Sequence, residues 1–369
     1  MNIGIDISQI VYEGTGVSRF TRGLTNAILN LDKKNRWTFL FSSLRRKLDS
    51  EIESEISKKG HELIKWKIPL TLLAYLCYDW RLISKYLITH FAYLDKLDYF
   101  VTSDWVELPL KVKKTTVVHD LVFLRHPETV SPEIKTVQTK RLELVKRESQ
   151  IIFADSNATK ADLSDYLSID KNRIFVNYPG VDVRQPTSDQ INLTIKKYDL
   201  KKPFILTVGK LEPRKNLHRL IAATKQLNNE AIDLVIVGPK GWGKNNLKTE
   251  YSNIKFLGMV DDNDLYCLYS SCLLFIYPSL WEGFGFPVVE AMGLGAAVAT
   301  SNTSSLKEIV GDAALLFNPQ NTTEISQSLN TLLTDSKLRA SLAKKGKKRS
   351  TDYSWKNYFN KFIKILTNK

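Results

Sequence analysis

Short apolar runs alternate with stretches of helical spacing along nearly the whole chain, and the plan is written twice. The first half offers strands at Asn2 to Ile7, Trp37 to Phe41, Tyr99 to Thr102, Thr115 to His119, Ile151 to Ala154 and Ile174 to Asn177. The second half offers Phe204 to Val208, Asp233 to Val237, Ile254 to Phe256, Leu273 to Tyr277, Ala297 to Thr300 and Ala314 to Phe317. Strands separated by helical crossovers pair in parallel, and a parallel sheet needs helices on both faces. The expected fold is therefore α/β, with two doubly wound, Rossmann-like domains. Pro179 to Leu200 holds Pro179, Gly180, Pro186 and a polar run, the composition of a connection. This sets a first domain at 1–180, a linker at 181–200 and a second domain at 201–350. In such sheets ligands sit beyond the carboxyl ends of the strands, which is where chemistry is to be sought.

With 369 residues and 43% hydrophobic content, the chain can build two sizeable cores. Cys77, Cys267 and Cys272 are few, odd in number and lack metal-ligand spacing, so they read as reduced thiols of a cytoplasmic protein. Met1 to Ile7 alternates as a buried strand does, with no secretion signal, and nothing approaches the roughly 20 apolar residues of a membrane span. Lys and Arg exceed Asp and Glu by 53 to 39, a formal charge of +14. The basic residues are spread thinly, without the dense stripe and interleaved aromatics that suit nucleic acid, which is not expected as a partner. An anionic membrane surface fits the charge better. Ile68 to Phe91 carries Leu72, Leu76, Trp80, Ile83, Leu87 and Phe91 at helical spacing, with Arg81 and Lys85 off that stripe. It reads either as an interfacial helix, apolar face down, or as a core-facing amphipathic helix.

Leu280 to Met292 (LWEGFGFPVVEAM) sets Glu282 and Glu290 on either side of a glycine turn that opens a helix at Pro287. Proline suits the first helical position, and the free N–H groups of that turn bind anions. Gly283 and Gly285, with Phe284 and Phe286 between and beyond them, let the backbone approach a ligand closely. The glutamates, Glu290 in the first helical turn, can accept hydrogen bonds from hydroxyls. The plainer reading is a simple turn with Glu290 complementing the helix dipole. Upstream, the strand ending at Val208 leads through Gly209 to Lys210, Arg214 and Lys215, three cations in six residues, whose alternative is a solvated basic turn.

In the first half, Asn2 to Ile7 leads to Gly14 and Gly16, and then to Val17, Phe20, Leu24 and Ile28 at helical spacing. A glycine pair alone is weak and fits a tight turn needing no ligand, while Arg19 and Arg22 on that helix are suited to anionic groups. His119 closes an apolar strand and is followed by Asp120; no second histidine or acidic cluster at matching spacing makes it a metal ligand. The run Asp261 to Asp264 reads as a helix cap before Leu265 in place of a cation site.

Taken together, EGFGFPVVE with its E-x7-E spacing, Thr207 to Leu217 (TVGKLEPRKNL), Gly295 to Pro319 and Val118-His-Asp-Leu121 resemble the motifs of family 4 retaining glycosyltransferases. The resemblance covers most of the chain and is strongest from about residue 200 to 320. It implies the GT-B fold, two Rossmann-like domains facing each other across a cleft, and a last segment, 351–369, whose helix around Trp355 to Leu366 packs back on the first domain. It implies Lys210 and Lys215 on the donor diphosphate, with Arg214 sharing the task; family members more often carry arginine at position 210, so the fork of a guanidinium is lost there. It also implies Glu282 and His119 near the transferred sugar, Glu290 on the ribose, and Gly258 and Met259 near the base. Gly14 and Gly16 fall by the donor phosphates, and Asp120 and Arg19 on the acceptor side. The expected function is retaining transfer of a hexose, without metal or other cofactor, from a nucleotide-sugar to a lipid-linked or oligosaccharide acceptor. GKLEPRKNL is similar to enzymes of bacterial O-antigen and capsule synthesis, some of them mannosyltransferases, so GDP-mannose is the first expectation for the donor, followed by UDP-sugars and dTDP-rhamnose. Peripheral association with the cytoplasmic face of the inner membrane goes with such an acceptor. The alternatives are an epimerase or phosphorylase on the same fold, or a non-catalytic membrane-associated subunit; a glycosidase is disfavoured by the phosphate-binding context.

Overall fold

The computed structural model describes residues 1–80, 94–102, 104–241 and 252–368. The chain divides into two compact units, Met1–Gly180 with Trp355–Lys369, and Val181–Ser354. The first is built on a parallel sheet of β1 (Asn2–Asp6), β2 (Arg36–Ser42), β3 (Glu62–Trp66), β4 (Tyr99–Thr102), β5 (Lys113–Val118), β6 (Ser149–Ala154) and β7 (Ile174–Val176), in the order β3-β2-β1-β4-β5-β6-β7. The second holds β8 (Phe204–Val208), β9 (Asp233–Val237), β10 (Ile254–Gly258), β11 (Leu274–Tyr277), β12 (Val298–Ser301) and β13 (Ala314–Phe317), in the order β10-β9-β8-β11-β12-β13. Both orders reverse once, beside β1 and beside β8, and these switch points are where a doubly wound sheet opens a crevice at its carboxyl edge.

The sequence reading did not anticipate β3. Its Glu62 and Lys65 interrupt the apolar run, and it lies at the sheet edge, where only one flank is paired and charge is tolerated. The segment expected as a linker holds the helix Ser188–Lys197, closed by a capping box in which Thr187 and Gln190 bond each other's backbone N–H groups. That helix belongs to the second unit, where Asp264 accepts from Thr194 Oγ1 at 3.0 Å and Tyr198 Oη at 2.8 Å.

Of the stretch Ile68 to Phe91, the helix Leu70–Tyr78 is described; Ile83, Leu87 and Phe91, with Arg81 and Lys85, lie outside the described residues. Its buried face is Leu70, Leu73, Ala74 and Cys77, whereas Leu72, Tyr75 and the following Trp80 point outward. The stripe through Leu72 and Trp80 is thus not the core-facing one.

The helix Trp355–Thr367 packs in the first unit. Trp355 and Tyr358 meet Phe20 edge-on at 5.6 and 5.4 Å, and Phe362 lies 4.8 Å from Phe153. The approach is close: a Cβ on Gly23 would lie 2.0 Å from the Trp355 ring, so glycine is required there.

Candidate active site

In the second unit the loops after β8, β11 and β12 are tied into one structure at the carboxyl edge. Leu280 N donates to Arg214 O at 2.9 Å, Glu282 N to Ser304 Oγ at 3.0 Å, and Ser305 Oγ to the carbonyls of Glu282 and Phe284, both at 2.9 Å. Gly285 precedes the helix Phe286–Gly293 with φ of +107°, a left-handed conformation, and a Cβ there would sit 2.7 Å from Leu306. The helix starts at Phe286, one residue before the expected Pro287. Glu290 is its fifth residue and so falls just beyond the first turn.

Glu282 is the hub. Its Oε1 accepts from Lys215 Nζ at 2.6 Å, Ser279 Oγ at 2.6 Å and Tyr277 Oη at 2.9 Å, and its Oε2 accepts from Arg214 Nη1 at 2.7 Å. Arg214 is held further by Trp281 O at 2.8 Å and by Glu212. Burial alone would raise the Glu282 pKa, but the charges of Arg214 and Lys215 and the hydrogen bonds outweigh it and hold the carboxyl at about 2. Lys215 is shifted down, first by its own burial and then by Arg214, against the pull of Glu282. Tyr277 is pushed up by burial and by Glu282, which keeps it a neutral donor.

Lys210 is not part of this cluster. It is exposed, and among the described residues no side-chain partner is seen. Arg214, four residues on, stands beside Lys215 instead, because the 3-10 turn Pro213–Lys215 carries both side chains back over Glu282. Glu290 is 3% exposed and accepts from Tyr269 Oη at 3.1 Å. Phe284 is buried against Phe286 and Tyr353, whereas Met259 is 61% exposed beside Gly258. Asp261 caps the helix Asp262–Ser271 by accepting from Asp264 N at 2.9 Å. Among the described residues no group of three acidic, histidine or cysteine side chains is gathered as a metal site.

In the first unit, Gly14 (φ +76°) turns the chain from the segment Ser8–Val11 into the helix Gly16–Leu31, capped by Thr15. Arg19 lies half-buried on it. Beside this loop a cavity of about 450 Å³ is lined by Ile10, Val11, Glu13, Arg22, Arg46, Lys47 and Asp49. Arg22 pairs with Asp49 at 3.1 Å, while Arg46 bonds Val11 O and stacks 5.4 Å over Tyr12. His119, at the end of β5, meets Asp155 at the end of β6, Nδ1 to Oδ2 2.6 Å, and Asp120 accepts from Val122 N at 3.0 Å. Sequence reasoning missed Asp155; a carboxylate directly after an apolar strand, next to one ending in histidine, was the available signal. Arg46 and Lys47 were missed as well.

Two doubly wound units are the architecture of the GT-B fold, and the second carries a paired-cation cluster at its switch point. The likenesses agree. Residues 190–349 match the family described as "Glycosyl transferases group 1". O-antigen chain mannosyltransferase B of Escherichia coli is 29% identical over 304 residues, covering 78% of this chain and 80% of that protein. The serotype-specific mannosyltransferase WbdA of Escherichia coli is 33% identical over 262 residues, 66% of this chain, although the chain spans only 32% of that relative's length. Among solved structures, Anabaena Alr3699/HepE in complex with UDP and glucose superposes with a TM-score of 0.76 at 17% identity. WaaG, a glycosyltransferase involved in lipopolysaccharide biosynthesis, gives 0.74 at 15%, and in both cases 100% of each chain is covered. Residues 190–349 thus resemble the group 1 glycosyl transferases, and the chain has the two-domain GT-B fold.

Proposed function

We infer that this protein moves a sugar, with retention of anomeric configuration and without a metal, from a nucleoside-diphosphate donor to a hydroxyl of a lipid-linked or oligosaccharide acceptor in bacterial surface polysaccharide synthesis. The observation that carries the reading is the pairing of Arg214 and Lys215 on one buried carboxylate at the switch point of the second sheet. Expelling a diphosphate from the anomeric carbon while an acceptor hydroxyl attacks from the same face makes neutralising the leaving charge the main task. Donors fixed in advance are each worth about 3 to 4 kcal/mol of barrier. Arg214 and Lys215 serve that charge, and Arg214 restores the guanidinium fork that position 210 lacks. Glu282 sets where the two cations stand, and it reaches a sugar hydroxyl by exchanging one of its four donors. Glu290 and Tyr269 are assigned to the ribose, and Gly258 and Met259 to the base.

GDP-mannose is the first donor to test, because two E. coli relatives are mannosyltransferases; UDP-sugars come next, because the Anabaena structure holds UDP. The cavity by the glycine loop suits the acceptor: Arg22, Arg46 and Lys47 take its anionic part, while Glu13 and Asp49 accept from hydroxyls. Leu72, Tyr75 and Trp80, exposed on one segment, and Leu44 next to Arg45 support peripheral contact with an anionic membrane. No helix among the described residues is long and apolar enough to cross one.

The test is thermal stability against GDP, UDP, dTDP and ADP, with and without magnesium; a ligand at 100 times its Kd stabilises by about 2.7 kcal/mol. A magnesium-independent shift with one nucleotide is expected and names the donor class. No shift with any of them counts against transfer, and a shift that needs magnesium overturns the metal-free mechanism.

A further inference from the structure

The strands β5 and β6 end side by side, so residues 36 apart in sequence meet: His119 Nδ1 stands 2.6 Å from Asp155 Oδ2. The Asp155 side chain is 3% exposed and that of His119 15%, so solvent reaches the imidazole and not the carboxylate. Asp155 Oδ1 is buried with no donor among the described residues, which leaves His119 as the donor on which this carboxylate depends. The ring is braced from another side by Phe20, on the helix of the glycine loop, which packs edge-on at 4.7 Å, and the His119 backbone is held by Thr159 Oγ1, which donates to His119 O at 3.1 Å. With Nδ1–H turned to a carboxylate, Nε2 is the ring atom left for chemistry.

Nε2 can act as a base, if the ring is neutral, or as a charged donor, if it is protonated, and the neighbours decide which. Asp155 acts on the ring from the end of β6 and Asp104 from the loop after β4, while Asp120 bears on Asp155; the opposing cation is Arg141 on the helix Pro132–Glu148. Arg141 is itself engaged by Asp104 at 3.1 Å and approaches Glu107 at 3.7 Å. Tyr358, from the helix Trp355–Thr367, lies against the Asp155 side and stays neutral because burial pushes it up. Burial alone would lower the His119 pKa, but the charge and hydrogen bond of Asp155, reinforced by Asp104, more than reverse this and hold it at about 9.

We propose that Asp155 is a positioning residue that holds His119 as an imidazolium, so that its Nε2–H is a charged hydrogen-bond donor to a substrate oxygen on which negative charge develops, and not a base. This rests on the reading that His119 belongs to the transfer site. Neutral imidazole at that position would accept a proton; the imidazolium instead presents a positive charge and a hydrogen-bond donor.

The experiment is an NMR titration of the full-length protein labelled with ¹⁵N-histidine, His119 being assigned by loss of its signal in His119→Gln. His119 in the unaltered protein is expected to titrate near 9, and in Asp155→Asn near or below the ordinary 6.5. At pH 8 such a drop cuts the protonated fraction from about 90% to about 3%. The kcat/KM of Asp155→Asn at pH 8 should therefore fall about 30-fold and recover as the pH is lowered to 6. Asp155→Glu should retain the alkaline limb. A purely structural pair would lower activity equally at all pH values, which overturns the proposal, as does a His119 in the unaltered protein that titrates near 6.5. A nucleotide shift with such a low-titrating His119 overturns the pair and leaves transfer intact. No nucleotide shift with His119 titrating near 9 supports the pair and overturns transfer.

Discussion

Glu282 and Asp155 are both buried carboxylates just beyond strand ends, one in each unit, yet they hold their charge differently. Glu282 has four donors, two of them cations, and its hydrogen bonds are complete within the second unit. Asp155 leans on one imidazole, and its second oxygen has no donor among the described residues. Removing one partner from the first arrangement leaves charges mismatched but still bonded, while in the second it removes everything. The difference also sets how each responds to pH. Glu282, held below its unfolded value of 4.5, contributes stability that is complete above that value and is lost as pH falls through about 2. His119, held above its unfolded value of 6.5, contributes stability that is complete below that value and is lost as pH rises through about 9. The second unit thus carries a fixed electrostatic frame, and the first carries one that titrates.

The largest effect should come from breaking the fixed frame. Lys215→Ala is expected to slow transfer about 10²- to 10³-fold, measured as initial rate at saturating donor. Near-normal rates in both Lys215→Ala and Glu282→Ala would mean that the cluster does not serve the leaving group. Glu282→Gln should next cost about 3 kcal/mol of stability, because it leaves buried Lys215 without its counter-charge and Arg214 with Glu212 alone. A denaturant titration that shows no loss would make the frame dispensable for folding. The contrast between the units is sharpened by pulse proteolysis at pH 6 and pH 10: peptides from β5 and β6 should become more susceptible at the higher pH, and peptides from β8 and β11 should not. Equal change in both would erase the distinction. The smallest effect is expected for Lys210→Ala, about 0.5 kcal/mol or less as for an unpaired surface charge, against a clear loss of nucleotide affinity in Arg214→Ala. If Lys210→Ala weakens binding more, the diphosphate is held from position 210 after all.

The second unit was the more legible in sequence because its site is made of two short motifs. Glu282, Gly285 and Glu290 lie within one turn and helix, and Arg214 and Lys215 are neighbours, so each motif shows in a short window although the fold joins them across 67 residues. Which cation would stand over Glu282 was not legible, since Lys210 and Arg214 are equally charged and only the 3-10 turn decides between them. In the first unit the partners come from separate strand ends, and nothing near His119 in sequence announces Asp155. Strands buried on both flanks, such as β1 and β8, showed as apolar runs. β3 did not, because an edge strand keeps its charges. The helix Ser188–Lys197 was hidden by its polar face, although Thr187 and Gln190 carried its capping signature.

The helix Trp355–Thr367 has a consequence for the order in which the molecule is made. Phe20, Gly23 and Phe153 wait for Trp355, Tyr358 and Phe362, which are synthesised only after every residue of the second unit. A nascent chain therefore holds a finished second unit while the first still exposes the apolar groove for its closing helix. The side of that groove includes Phe20, the ring that also braces His119. A chain halted before residue 355 would keep Asp155, Phe20 and Thr159 around His119 but would lack the Trp355 and Tyr358 rings that back Phe20.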